Sequence, residues 1–352
     1  HLRSQGSKAV RGLLPWGRIA FVTTGFVATA TLGLFPHHVV VWLLSLPVWA
    51  PIPLIVAACA ADGELLRWIF QSLDAKTRLR ATTPEGSHIV GYVFSVCGVL
   101  YAVVLAFVVV TAWQEYDHTD EVVLAEQNAL DGLFSVPLPE VTRKDPWAFR
   151  LQLWTYAKGA AADFELANRG LPLSMYASRK EPASCDSAPY EADPRQGPGS
   201  NFAAYCIGVA MGAWKPTTPA GRANYQEARA TYRAFLESRA HRIHHTNERL
   251  PAIMWSALIV GAMILVVFTF LFDERWSRVQ AARTAALSSM IGIMLAEALV
   301  FDHPFTGRNR VDPSRWTAIA CEFSYQLYLE NHIARAVPGD EVKNCSDTNA
   351  AQ

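Results

Sequence analysis

Charge is scarce in this chain. Asp, Glu, Lys and Arg make up 18% of its 352 residues, where a soluble globular chain carries about 25%. Neither sign is in excess. The 31 basic and 31 acidic side chains cancel, which excludes the basic face a nucleic-acid binder needs. Cysteine is sparse, six in all, too few for a disulfide-dense miniprotein. Catalytic signatures are missing as well: there is no Gly-x-Ser-x-Gly elbow, no phosphate-binding glycine loop and no paired-cysteine zinc site. No enzymatic activity and no cofactor are therefore expected.

The charges that exist are unevenly placed, and the gaps between them are long. A bilayer core about 30 Å thick needs roughly 20 apolar residues of helix. His88 to Trp113 and Leu250 to Phe272 meet that length without a Lys, Arg, Asp or Glu, and Thr284 to Phe301 meets it with one acid, Glu297. His38 to Ala61 is apolar but carries Pro47, Pro51 and Pro53, which should bend or break a helix. Ile19 to Phe35 is shorter and rich in Thr and Gly. It reads as a fifth span, an interfacial helix or the apolar core of a targeting signal. The expected fold class is all-α: a polytopic membrane protein with four to five transmembrane helices and an extramembrane helical bundle built on two extended helices.

The expected organisation follows. Residues 1–37 hold a basic segment and the uncertain apolar stretch. Residues 38–113 hold membrane helices with a short loop at 62–87, and 114–250 form the extramembrane domain. Residues 251–303 return to the membrane with a short loop at 273–283, and 304–352 end the chain outside it, with a polar tail beyond Val337. Counting crossings puts the two long regions on one side and the two short loops on the other. The short loops hold Arg67, Lys76, Arg78, Arg80, Arg275, Arg278 and Arg283, whereas no Lys or Arg occurs from Ala81 to Thr142. Short cytoplasmic loops collect basic residues, so the long regions are expected outside a bacterial cytoplasmic membrane. Arg239, Arg242, Arg249, Arg308 and Arg310 run against this count. Cys185, Cys206, Cys321 and Cys345 all fall in the long regions, which suits an oxidising compartment. Cys185 with Cys206 and Cys321 with Cys345 is the expected pairing, among three that four cysteines allow.

Local patterns name further residues. Glu115 to Phe134 reads as a helix continuing the preceding span, with Val123, Leu130, Leu133 and Phe134 as an apolar stripe and Glu126 set into it. A buried acid needs a partner, and Arg242 is the expected one. Asp145 with Pro146, and Thr218 with Pro219, mark two helix starts. Small residues spaced by four mark helix contacts in lipid. The stripe Gly91, Ser95, Gly98, Ala102 and Ala106 is expected to meet Ser288, Gly292 and Ala296. Acids near membrane boundaries are candidates for an ion path: Glu297, Asp302, Glu115 and Asp117. His241 and His245 share a helix face and form a weak candidate for a metal pair; the plainer reading is a surface histidine cluster.

Several segments together carry a resemblance. The stretch YAVVLAFVVVTAWQEYDHTDEVVLAEQNALDGLF (Tyr101 to Phe134), the segment LPAIMWSALIVGA (Leu250 to Ala262) with its Pro-x-x-x-Trp pattern, and DHPFTGRNRVDPS (Asp302 to Ser314) resemble the bestrophin-like domain family of bacterial membrane proteins. The resemblance runs from about Val39 to Ser314. It departs from the family pattern at Asp163-Phe164-Glu165, where an acid-Trp pair is common, and in the cysteine-bearing loop and the N-terminal apolar stretch. It implies a four-span core with an extramembrane helical domain. Kinship with pentameric anion channels is a fold-level analogy. The function expected is an oligomeric ion channel or passive transporter in contact with lipid, its own copies and ions. A non-conducting membrane scaffold or sensor with a binding outer domain is the alternative.

Overall fold

The computed structural model describes residues 42, 44–46, 53, 57, 61, 84–137, 146–168, 185, 200–245, 249–271 and 278–329. Among them are seven long helices and no strand: α1 (Pro84–Ser135), α2 (Pro146–Asn168), α3 (Ser200–Gly212), α4 (Pro219–His245), α5 (Ala252–Phe268), α6 (Arg278–Phe301) and α7 (Ser314–Leu329). The expected spans over 19–35 and most of 38–61 lie outside the described residues. So do most of the short loop at 62–87 and the polar tail beyond Val337. Two described helices are long and apolar enough to cross a membrane, within His88–Ser135 and Ala282–Phe301; Ala252–Phe268 is apolar but shorter.

The chain divides into two compact units. The first comprises residues up to Tyr116 with Arg249–His303 and Gly307–Asn309, the second Asp117–Glu248, Pro304–Thr306 and Arg310–Gln352. Helix α1 is unbroken over 52 residues and contributes its start to the first unit and its end to the second. No proline interrupts it before Pro137, and its turns from Ile89 to Ala112 are almost all aliphatic or aromatic.

In the first unit, α1 packs through large side chains. Leu105 and Val108 bury with Leu258 of α5, joined by Tyr101, Met254, Met294 and Leu295. Gly261 makes the close approach possible, because a Cβ there would lie 2.6 Å from the Tyr101 ring. A second cluster joins Leu44, Trp255, Ala298 and Leu299. The Tyr116 and Phe301 rings meet edge to face at 5.8 Å. The expected contact between two small-residue faces is not formed. Ser288, Gly292 and Ala296 are buried on α6, but Ser95, Ala102 and Ala106 are exposed on α1, and a Cβ added at Gly98 would meet nothing within 4 Å. Dispersion explains the choice. A tyrosine ring seated on a bare glycine gains more contact than two shallow grooves laid together.

Beyond α6 the chain turns sharply. Gly307 has φ +88°, and a Cβ there would lie 2.6 Å from the Leu44 carbonyl oxygen. The Arg308 N–H donates to that same oxygen at 3.3 Å, and the Tyr116 hydroxyl donates to the Asn309 carbonyl at 3.0 Å. Both the left-handed backbone and the near contact demand glycine. Gly307→Ala is expected to destabilise the protein by about 2 kcal/mol, seen as a lower melting temperature in detergent. Gly98→Ala, with open space around it, is the matched control and leaves that temperature unchanged or higher.

In the second unit, the end of α1 buries Val123, Leu130, Leu133 and Phe134. Helix α2 adds Leu153, Trp154, Tyr156 and Phe164, α3 adds Phe202 and Ile207, α4 adds Phe235, and α7 adds Trp316, Phe323 and Leu327. Phe134 stacks on Phe323 at 3.8 Å between centroids. The Gly221 N–H donates to the Thr218 hydroxyl at 3.0 Å, so Thr218 caps α4. Asp312 does the same for α7, accepting from the Ser314 N–H at 2.8 Å and the Ser314 hydroxyl at 2.6 Å. These bonds hold its carboxyl below the usual carboxylate range. Helix α7 lies within 304–352, where the sequence predicts only a polar C-terminal segment. Helices α4 and α5 are also separate elements rather than one extended helix, with Pro251 at the N-terminal boundary of α5.

Candidate functional site

Two buried polar centres stand out, one in each unit. In the second unit, Glu126 projects from α1 into the apolar stripe and is fully buried. Arg242 of α4 reaches it with two bonds, Nε to Oε2 at 2.6 Å and Nη2 to Oε1 at 3.1 Å. The Tyr156 hydroxyl of α2 donates to Glu126 Oε1 and accepts from Arg242 Nη2 at 3.2 Å. Phe164 and Phe235 close the site, with the Arg242 guanidinium 5.7 Å from the Phe164 ring centre and the Phe235 ring 4.8 Å from that of Tyr156.

Burial and the adjacent Glu126 carboxylate push the Tyr156 phenol well up, so it stays neutral. Burial alone would push the Arg242 guanidinium down, but Glu126 and Tyr156 more than offset this and the net shift is upward. The centre is thus a fixed carboxylate–guanidinium pair with a neutral phenol. Glu126, Arg242 and Tyr156 are all buried. The centre does structural work. Nearby, the Ser200 hydroxyl at the start of α3 donates to the buried Asp163 of α2, and the Arg239 guanidinium donates to Asn201.

The disulfide Cys185–Cys206 ties the segment before α3 to that helix, and the Gln152 amide of α2 donates to the Cys185 carbonyl at 3.1 Å. Cys321 is also disulfide-bonded; Cys345 lies outside the described residues.

In the first unit, the polar centre sits where α5 begins and α6 ends. Asp302, one residue past α6, is buried. Its carboxylate accepts from the Leu250 N–H at 2.6 Å and from the Trp255 indole N–H at 3.3 Å. A helix start leaves backbone donors without intrahelical partners, and Pro251 offers no side-chain cap. The Leu250 N–H lies ahead of that start, so Asp302 holds the residue before Pro251 and the Trp255 side chain of α5 to the end of α6. His303 is also buried, with Nδ1 3.1 Å from the Leu299 carbonyl and 3.9 Å from Asp302.

Desolvation pushes the Asp302 carboxyl up to about 6 in spite of these bonds. A carboxyl raised in the fold from 3.8 favours the folded state while protonated. Stability from this group is therefore full below about pH 4 and is lost as pH rises through about 6, by roughly 3 kcal/mol across the window. Unfolding of the detergent-solubilised protein between pH 4 and 7 should show that slope, and Asp302→Asn should flatten it.

The other residues singled out by sequence are scattered. Glu297 is exposed on α6 rather than held in a buried pair, and Glu115 and Asp117 are exposed on α1. His118 and His245 meet edge to face at 5.2 Å, and His241 lies 6.3 Å from His245. Among the described residues no group of three or more His, Cys, Asp or Glu is set to hold a metal ion. Sequence reasoning missed Tyr156 as the third member of the buried centre. It also missed Asp302 as the acceptor that ties Leu250 and Trp255 to the end of α6. Both lie far along the chain from the groups they serve.

The Bestrophin-like domain matches residues 58–316. No curated protein matches the chain, and no solved structure does. The matched stretch spans α1 to the start of α7 and includes both buried centres and the turn at Gly307. By that span, the chain belongs to the bestrophin-like domain family.

Proposed function

We propose that this protein is an oligomeric ion channel or passive transporter of a bacterial cytoplasmic membrane. One observation carries the reading. From Ile89 to Val110, α1 turns a run of large apolar side chains outward, including Ile89, Val96, Val99, Val103 and Phe107. Water does not tolerate so long an exposed apolar surface on a stable chain. Lipid and further copies of the chain do.

In this reading the chain crosses the membrane four to five times, with membrane helices in 38–113 and 251–303. The regions 114–250 and 304–352 lie outside. The Cys185–Cys206 disulfide in the second unit favours that placement, since disulfides persist in oxidising compartments. Glu297, Glu115 and Asp117, all exposed, are the acids offered to a passing ion. Planar-bilayer recording on purified protein tests the proposal. Stepwise conductance under a salt gradient supports it, and silence under every ion gradient sinks it.

A second reading is a non-conducting scaffold or sensor. Tyr205 and Val209 stand exposed on α3 in the second unit, a surface that suits a protein partner. A pull-down through that unit that loses its partner on Tyr205→Ser would favour this reading over conduction.

A further inference from the structure

The membrane reading leaves open where along the helices the bilayer begins and ends, and the structure carries the answer further. On α1, Tyr92 and Trp113 are both exposed, at 77% and 52%. Amphipathic aromatic residues gather where hydrocarbon gives way to headgroups. The rise between these two is about 31 Å along a helix, against a hydrocarbon core of about 30 Å. Between them α1 carries no charged side chain. The Ser95 and Thr111 hydroxyls donate back to the Gly91 and Phe107 carbonyls at 2.9 and 2.8 Å, and the stretch holds no Asp, Glu, Lys, Arg or His.

Helix α6 can be placed against the same scale. It runs in the same direction as α1. Met294 and Leu295 pack in the cluster of Leu105 and Val108, and the Phe301 ring meets Tyr116. On that register Glu297 lies about level with Ala112, next to the Trp113 boundary. Asp302 then lies beyond the boundary. At the far end Arg283, exposed, falls about level with Gly98, close enough to the Tyr92 boundary for its long stem to carry the charge out to water.

We propose that Tyr92 and Trp113 mark the two edges of the bilayer hydrocarbon on α1, and that the Glu297 carboxylate sits at the headgroup level beside the Trp113 edge. The inference rests on the membrane reading above. It moves Glu297 from the membrane interior, where an exposed acid costs several kcal/mol, to a depth where it meets water and lipid headgroups. Its partner is a lipid surface, and its reach toward ions is that of a mouth rather than a mid-membrane site.

Depth measurement by spin labelling tests this. Single cysteines replace Tyr92, Val103, Trp113 and Glu297, each exposed, in full-length protein with Cys59→Ala and Cys97→Ala. Each labelled variant is reconstituted in phosphatidylcholine vesicles, and collision with oxygen is compared with collision with a water-soluble nickel chelate. The expected profile has oxygen access highest and nickel access lowest at Val103, with the balance reversed at Tyr92, Trp113 and Glu297. Nickel reaching Val103 as readily as Trp113 would overturn the placement of the edges. A label at Glu297 as deep as that at Val103 would overturn the placement of the acid. Failure of the protein to float with vesicles is a different result, and defeats the membrane reading itself.

Discussion

Methionine in place of Arg242 is expected to strip about 3–5 kcal/mol from the second unit, a fall in melting temperature on the order of 10 °C. The loss exceeds that of an ordinary core substitution because of what stays behind. Glu126 remains fully buried with its two guanidinium bonds gone, and only the Tyr156 hydroxyl still donates to it. A carboxylate in that position must keep an unpaired charge in an apolar site or take up a proton. The double replacement Glu126→Leu with Arg242→Met removes both charges at once and should recover most of the stability. The coupling between the two sites would then run to several kcal/mol, well outside the additive behaviour of separate positions. Tyr156→Phe deletes one neutral donor and is expected to cost less. Thermal unfolding of the parent, Glu126→Leu, Arg242→Met, the double variant and Tyr156→Phe in the same detergent decides the matter. An Arg242→Met variant as stable as the parent would mean the pair is not buried as described.

Loss of the Cys185–Cys206 bond is the other large effect. The two cysteines are 21 residues apart, and a closed loop of that size stabilises a fold by about 3 kcal/mol through its hold on the unfolded chain. Cys206→Ser, or a reductant applied to the parent, should lower the denaturant midpoint of the second unit accordingly. Reductant should then have little further effect on Cys206→Ser. The Gln152 bond to the Cys185 carbonyl should weaken in both. Alkylation before any reduction, followed by mass spectrometry, reports whether the thiols are blocked in protein taken from membranes. Free thiols at both positions in such protein would remove the chief support for an oxidising surrounding.

Much of this architecture can be read from sequence where the signal is local. The unbroken course of α1 follows from an apolar run that passes into a stripe at Val123, Leu130, Leu133 and Phe134 without proline. Thr218-Pro219 marks the α4 start because cap and first turn are adjacent in sequence. Glu126 announces its own need for a cation by sitting among apolar neighbours. The rest depends on distance along the chain. Tyr156 joins the buried pair from a different helix, and nothing near it in sequence says so. Helix α7 carries a legible pattern, with Asp312 as a cap and Trp316, Ile319, Ala320, Phe323 and Leu327 at helical spacing. It was hidden by the polar segments on either side. The small-residue face of α1 misled because spacing alone cannot show which side of a helix a neighbour occupies. Tyr101 against Gly261 decided that question.

The bond from the Leu250 N–H to Asp302 links residues 52 positions apart, and this sets an order of events during synthesis. A ribosome delivering the chain releases Leu250 and Trp255 long before the carboxylate that accepts from them. Throughout that interval the Leu250 amide and the Trp255 indole must rely on water or lipid headgroups. The α5–α6 pair reaches its finished form only after α6 has followed α5 out of the tunnel. A chain halted between the two helices would present the Leu250 amide and the Trp255 indole without the acceptor that the finished protein supplies.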